Sequence, residues 1–195
     1  MILQETYTLS NGVEIPKLGL GTWMIDDAVV ADAVKAAVNL GYRHIDTAQA
    51  YANERGVGEG VRDCGVDRDE IFVTTKLDAG IKTYDEAKAA IDGALATMGL
   101  DYIDLMIIHS PQPWENFAGD DRYFEGNLAA WKALEEALEA GKLRAIGVSN
   151  FQKEDLDNLI ENATVKPMLN QILAHISNTP FDLIDHTKSK GILVE

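Results

Sequence analysis

One cysteine, Cys64, is all that 195 residues contain. A lone thiol excludes an intramolecular disulfide and a cysteine-rich structural zinc site, and it fits a reducing compartment. Basic side chains are also scarce: 17 Lys and Arg stand against 32 Asp and Glu, for a formal charge of -15. Such a balance repels phosphate backbones and anionic lipid headgroups, and no basic patch offsets it locally. Neither nucleic acid nor a membrane is therefore an expected partner. Long apolar runs are missing as well, since nothing approaches the ~20 residues that cross a bilayer. The opening "MILQETYTLSNG" lacks the basic n-region and continuous apolar h-region of a signal peptide. A cytoplasmic protein is expected. No Pro/Ser-rich linker or low-complexity tract divides the chain, which predicts one domain over residues 1–195.

What is present is an ordinary globular composition, 46% hydrophobic and 25% charged, on a chain long enough to bury a sizeable core. Much of the acidic charge falls on stretches such as "KALEEALEAGK", where it reads as the solvated face of a helix. Near the start, "YTLSNGVEIPKLGLG" alternates apolar and polar residues on both sides of Asn11-Gly12, which predicts a hairpin with a two-residue turn. Beyond it come about seven strand-like runs: "LGLGTW", "HIDTA", "IFVTTKL", "IDLMIIH", "RAIGVSN", "MLNQIL" and "ILVE". Amphipathic stretches lie between them, including "DAVVADAVKAAVNLG", "YDEAKAAIDGALATMG" and "NLAAWKALEEALEAGK", each with a glycine near its end. Alternation of nearly continuous apolar strands with helices predicts a parallel sheet covered by helices, either doubly wound or closed into a barrel. The segment "HSPQPWENFAGDDRYFEGN" is too polar for a core element and predicts a long loop over a strand end.

The strand ends carry the chemistry, because parallel α/β folds bind ligands at the carboxyl edge of the sheet. "HIDTAQAYANE" raises the question directly: a buried strand closes on a carboxylate, Asp46, with Tyr51 shortly after. Lys76 closes "VTTK", His109 closes "MIIH", and Ser149-Asn150 close "IGVSN". Singly, each has an ordinary reading, as a helix cap, a solvated lysine or a histidine satisfied beneath a loop. Together they predict a carboxylate, an ammonium, an imidazole and a phenol at one edge, where neighbouring strands lie about 5 Å apart. A phenol is a poor proton donor until its anion is stabilised, which a nearby Lys⁺ does, and an adjacent carboxylate keeps that lysine charged. His109 is then placed to orient a carbonyl oxygen.

In their order, "LGLGTW", "HIDTAQAYANE", "FVTTKL", "IIHSP", "IGVSNF" and "NQI" resemble the aldo-keto reductases, in particular the soluble bacterial branch that includes diketogluconate reductases. The resemblance spans essentially the whole chain. It implies a (β/α)8 TIM-type barrel with an N-terminal hairpin across its bottom, and a catalytic tetrad of Asp46, Tyr51, Lys76 and His109 with Tyr51 as general acid. It implies NADPH, with NADH possible, bound without a glycine-rich fingerprint at Gly21, Thr22, Asp46, Ser149, Asn150 and Gln171. A small carbonyl compound, an aldehyde, ketone or keto-sugar, would meet Trp23, Tyr51, His109 and, in the loop, Trp114. The same fold also serves as a non-catalytic nicotinamide-binding regulatory or structural protein, as in potassium-channel β subunits and lens crystallins. A phosphate-sugar isomerase on a similar barrel would instead work without nicotinamide.

Three departures bear on the pocket and on closure. Relatives often place a tryptophan directly after the histidine, whereas this chain reads "HSPQPW"; and after "NQI" it continues with "LAHISNTP", which leaves His175 at the rim. The final "GILVE" reads as a seventh barrel strand, so an incomplete barrel without its eighth strand is expected, either as a piece of a longer monomeric enzyme or as a short form completed by self-association. Weak cofactor affinity is the expectation for a polypeptide that ends there.

Overall fold

The computed structural model describes residues 1–117 and 119–195; Ala118, inside the long loop expected at 109–127, lies outside them. Two short strands, β1 (Thr6–Thr8) and β2 (Glu14–Pro16), pair antiparallel with Thr8 opposite Glu14. The turn is one residue longer than the Asn11-Gly12 signal predicts. The Leu9 N–H donates to the Val13 carbonyl at 2.8 Å, the Gly12 N–H donates to the Leu9 carbonyl at 2.9 Å, and Gly12 has a φ of 87°. The loop therefore runs Ser10-Asn11-Gly12, with the glycine supplying the left-handed residue that a three-residue hairpin needs.

Seven strands then form one sheet: β3 (Leu20–Gly21), β4 (His44–Asp46), β5 (Phe72–Leu77), β6 (Ile103–Ile108), β7 (Leu143–Ser149), β8 (Leu169–Gln171) and β9 (Leu193–Val194). Every neighbouring pair is parallel and the spatial order is the chain order. A doubly wound sheet reverses its strand order at a switch point; this one never does. β5 and β6 are buried at every position, as strands covered on both faces must be.

The sheet is strongly curled. β4 and β8 are four places apart in the order, which in a flat sheet would separate them by roughly 19 Å; yet Gln171 Nε2 donates to Asp46 Oδ2 at 2.8 Å. Opposite strands can touch only if the sheet wraps around an interior, so the architecture is an incomplete (β/α)8 barrel.

Among the described residues, six helices cover the outside: α1 (Asp27–Asn39), α2 (Glu54–Arg62), α3 (Tyr84–Met98), α4 (Phe124–Glu139), α5 (Lys153–Asn162) and α6 (Phe181–Ser189). α4 begins inside the segment expected to be loop. α2, "ERGVGEGVR", has three glycines and a low intrinsic helix propensity. Packing explains it: a Cβ at Gly56 or Gly60 would collide with α1, and one at Gly58 with the backbone of Met98 in α3. The glycines give up propensity for close approach of three helices. Among the described residues, no helix is long and apolar enough to cross a membrane.

The hairpin lies at the amino-terminal edge, where Asn11 Nδ2 donates to the Arg144 carbonyl at 2.8 Å. Beneath it the wholly buried Asp104 is shared by Arg68 at 2.7 Å and Arg144 at 2.6 Å. The opposite, carboxyl edge is left open for a site.

Candidate active site

Side chains alternate along β5. Thr75 faces outward and donates to the buried Glu54 of α2 at 2.6 Å, while Thr74 and Lys76 face the barrel interior. Burial raises the Glu54 carboxyl above its ordinary range, against the Thr75 hydrogen bond, which lowers it. Lys76 is only 1% exposed. Its ammonium pairs with Asp46 Oδ1, donates to the Thr47 carbonyl at 2.9 Å and reaches Tyr51 Oη at 3.3 Å. All three acceptors belong to β4 and the turn after it. A buried charge needs such compensation, which is why Asp46 ends a strand instead of lying free in the following loop.

The turn that carries Tyr51 is tied on every side. Thr47 Oγ1 donates to Asn53 Oδ1 at 2.7 Å, and Asn53 Nδ2 donates to the carbonyls of Thr22 and Ile25, both at 2.9 Å. Gln49 accepts from the Asp78 N–H at 2.9 Å and donates to the Ala90 carbonyl at 3.0 Å. Ala52 sits in the left-handed region with a φ of 56°, a conformation that persists only where surrounding contacts enforce it.

Tyr51 opens onto a cavity of about 620 Å³ lined also by Trp23, His109, Trp114, Ser149, Asn150 and Gln171, with Ala50, Ile172 and Leu173 completing the wall. The His109 ring meets Tyr51 edge-on at 5.6 Å and Trp114 edge-on at 5.1 Å. Trp114, although delayed in the sequence, thus folds back over the histidine. His175 stays on the exposed rim, with Nδ1 accepting from the Ser177 N–H at 3.2 Å.

Burial lowers the His109 imidazole from 6.5 to about 4, and the Lys76 charge pushes the same way, against Asp46 and Asp78. The ring is therefore neutral at pH 7. The stability consequence follows from linkage: between 6.5 and 4 the unfolded chain holds the proton and the native state does not, so stability is full above 6.5 and falls as pH drops toward 4. Between pH ~7.5 and pH ~5, His109 is expected to account for a loss of about 2 kcal/mol. Urea unfolding at the two pH values checks this, since His109→Gln should lose that much less; an equal pH dependence in both proteins contradicts the assignment.

The amides at the far wall have a definite polarity. Gln171 Nε2 donates to Asp46 Oδ2 at 2.8 Å and to Glu195 Oε2 at 2.7 Å, which uses both its hydrogens. Asn150 Nδ2 donates to the His109 carbonyl and to Ser149 Oγ, both at 3.0 Å. This leaves Gln171 Oε1 and Asn150 Oδ1 as acceptors and the Ser149 hydroxyl as a donor, on three residues that line the cavity. Two acceptors and one donor complement a primary carboxamide, whose NH2 offers two hydrogens and whose C=O takes one. The residues thus fit the nicotinamide end of the expected cofactor.

Thr22 is wholly buried, with its amide and hydroxyl both donating to the Asp46 carbonyl at 2.9 and 3.1 Å, and so it braces Asp46. Gly21, opposite Asp46 in β3, is exposed beside it. Sequence reasoning missed Glu195 and the bracing pair Thr47 and Asn53; only the "NE" after Tyr51, a polar pair opening a helix, hinted at the latter.

The fold and site together define a barrel-type α/β protein whose ligand cavity lies at the carboxyl edge of a parallel sheet. Residues 17–194 match the family model described as aldo/keto reductase family, and the chain belongs to that family. It is 43% identical over 194 residues to the glyoxal reductase of Bacillus subtilis, covering 99% of this chain and 66% of that protein. An aldo/keto reductase structure from Brucella melitensis superimposes with a TM-score of 0.91 at 38% identity, over 98% of this chain and 70% of that one. A Bombyx mori aldo-keto reductase solved in complex with NADP gives 0.87 at 36% identity, over 97% and 64%. The chain thus spans less than two thirds of the length of several such relatives.

Proposed function

We propose that this chain is the catalytic part of an NAD(P)H-dependent reductase of small carbonyl compounds, with Tyr51 as the general acid. The observation that supports it most is the buried Lys76 ammonium held between Asp46 and Tyr51 Oη. When bound, the nicotinamide cofactor supplies the hydride. The carboxamide-shaped set of Gln171, Asn150 and Ser149 would orient its ring, and NADPH is the favoured form, given the NADP bound by the Bombyx mori relative.

The protein's own work is proton delivery and charge placement. Tyr51 gives its phenolic proton to the carbonyl oxygen as negative charge develops there. The charge left on Oη faces the buried Lys76 ammonium at 3.3 Å, which stabilises it. Asp46 keeps that ammonium in place. His109, being neutral, meets the carbonyl oxygen through an N–H without adding a second positive charge. Trp23 and Trp114 supply apolar wall on either side of the entrance. All these groups come from one chain, so each copy carries the proton-delivering set by itself, whether the working unit is a monomer or a self-associated form.

The test is absorbance of NADPH followed with a panel of aldehydes, ketones and keto-sugars, glyoxal included because a relative bears that name. Oxidation that requires both partners supports the reading. Cofactor binding with no turnover across the panel would favour a regulatory or structural role, and carbonyl isomerisation without nicotinamide would favour an isomerase.

A further inference from the structure

Glu195 directly follows β9 and lies beside Gln171. Its N–H donates to the Asn170 carbonyl at 3.2 Å and its carbonyl accepts from the Ile172 N–H at 2.8 Å, so the backbone brackets Gln171 from both sides. The side chain, 29% exposed, reaches toward Gln171 and His44. Oε2 accepts from Gln171 Nε2 at 2.7 Å, and Oε1 lies 3.7 Å from Nδ1 of His44, a ring 1% exposed and tied through Nε2 to Thr74 Oγ1 at 2.9 Å. The carboxylate is thus held between a fixed ring and the amide it contacts.

We propose that Glu195 is a positioning residue which, through Gln171, makes the site selective for a ligand group that donates hydrogen bonds. The inference rests on the nicotinamide reading above and adds to it the residue that sets the polarity of the amide. A primary amide nitrogen has two hydrogens. Asp46 takes one and Glu195 the other, so Gln171 has nothing to offer the cavity but Oε1. With Asp46 alone, the second hydrogen becomes available to a ligand, and Gln171 then meets an acceptor as readily as a donor. Glu195 is not among the residues that line the cavity.

The experiment compares binding of NADPH with that of its 3-acetylpyridine analogue, in which a methyl group replaces the carboxamide NH2, by fluorescence titration of the whole chain. The unmodified protein should bind NADPH roughly tenfold more tightly, because the analogue leaves buried acceptors without donors. In Glu195→Leu that ratio should shrink to about twofold or less, while Glu195→Gln, which keeps an acceptor oxygen for Gln171, should retain it. A merely structural role would weaken both ligands alike. A ratio unchanged in Glu195→Leu, with its melting temperature near that of the unmodified chain, overturns the inference and leaves the nicotinamide reading standing. An unmodified chain that binds neither ligand at millimolar concentration removes the reading itself.

Discussion

Tyr51→Phe is expected to lower kcat for aldehyde reduction by roughly 10²–10⁴-fold, the range a positioned general acid contributes. Affinity for NADPH should stay close to that of the unmodified protein. The substitution removes only Oη. The ring that meets His109 edge-on at 5.6 Å remains, and Lys76 keeps its pair with Asp46 and its 2.9 Å contact with the Thr47 carbonyl. The fold at the site has no reason to change. Loss of turnover with binding retained therefore isolates proton delivery. Steady-state kinetics with one good aldehyde, together with a cofactor titration, decides the matter; a kcat within a few-fold of the unmodified value removes Tyr51 from the mechanism.

Asp46→Ala should have the largest effect on stability. It leaves the Lys76 ammonium, 1% exposed, with two neutral oxygens and no counter-charge. Removing one partner of a buried pair typically costs about 3–5 kcal/mol, because the other charge stays behind. It also withdraws one of the two acceptors of Gln171 Nε2. Activity should fall with stability, so the single variant cannot separate them. The double variant Asp46→Ala/Lys76→Met can: it removes both charges and is expected to recover much of the lost stability in a urea titration while remaining inactive. Additive destabilisation in the double variant would mean that the pair is not the interaction that matters. Recovered activity would contradict the role of the ammonium.

Strand number and position were legible because apolar runs alternate with glycine-terminated helices, and the observed β3–β9 fall on the runs in "LGLGTW" through "ILVE"; their order was not, since the same alternation suits a doubly wound sheet, and the barrel was implied only by the family resemblance. The convergence of Asp46, Tyr51, Lys76 and His109 was legible too, since parallel strands must present their last residues at a common edge. Where the reading fell short, the cause was close packing or long-range contact. The α2 helix defies its propensity because Gly56, Gly58 and Gly60 fit against α1 and α3, which no local pattern reveals. The turn at Gly12 differs by one residue because loop length is set by the pairing of Leu9 with Val13. Thr22 reads like a ligand contact, and the bracing bond it makes to Asp46, 24 positions away, is visible only in the fold.

By itself, then, the sequence determined what each strand end would offer: a carboxylate, a phenol, an ammonium and an imidazole, in an acidic chain poor in groups that bind phosphate backbones. Local order dictates residue type and strand polarity, and these follow from periodicity alone. Only the tertiary structure decided the polarity of the site. Gln171 and Asp46 are 125 residues apart in the chain, and Gln171 and Glu195 are 24 apart. Curling the sheet brings the first pair within hydrogen-bond distance and the pairing of β8 with β9 brings the second, and it is these distant partners that determine which atom of an amide is left to face a ligand.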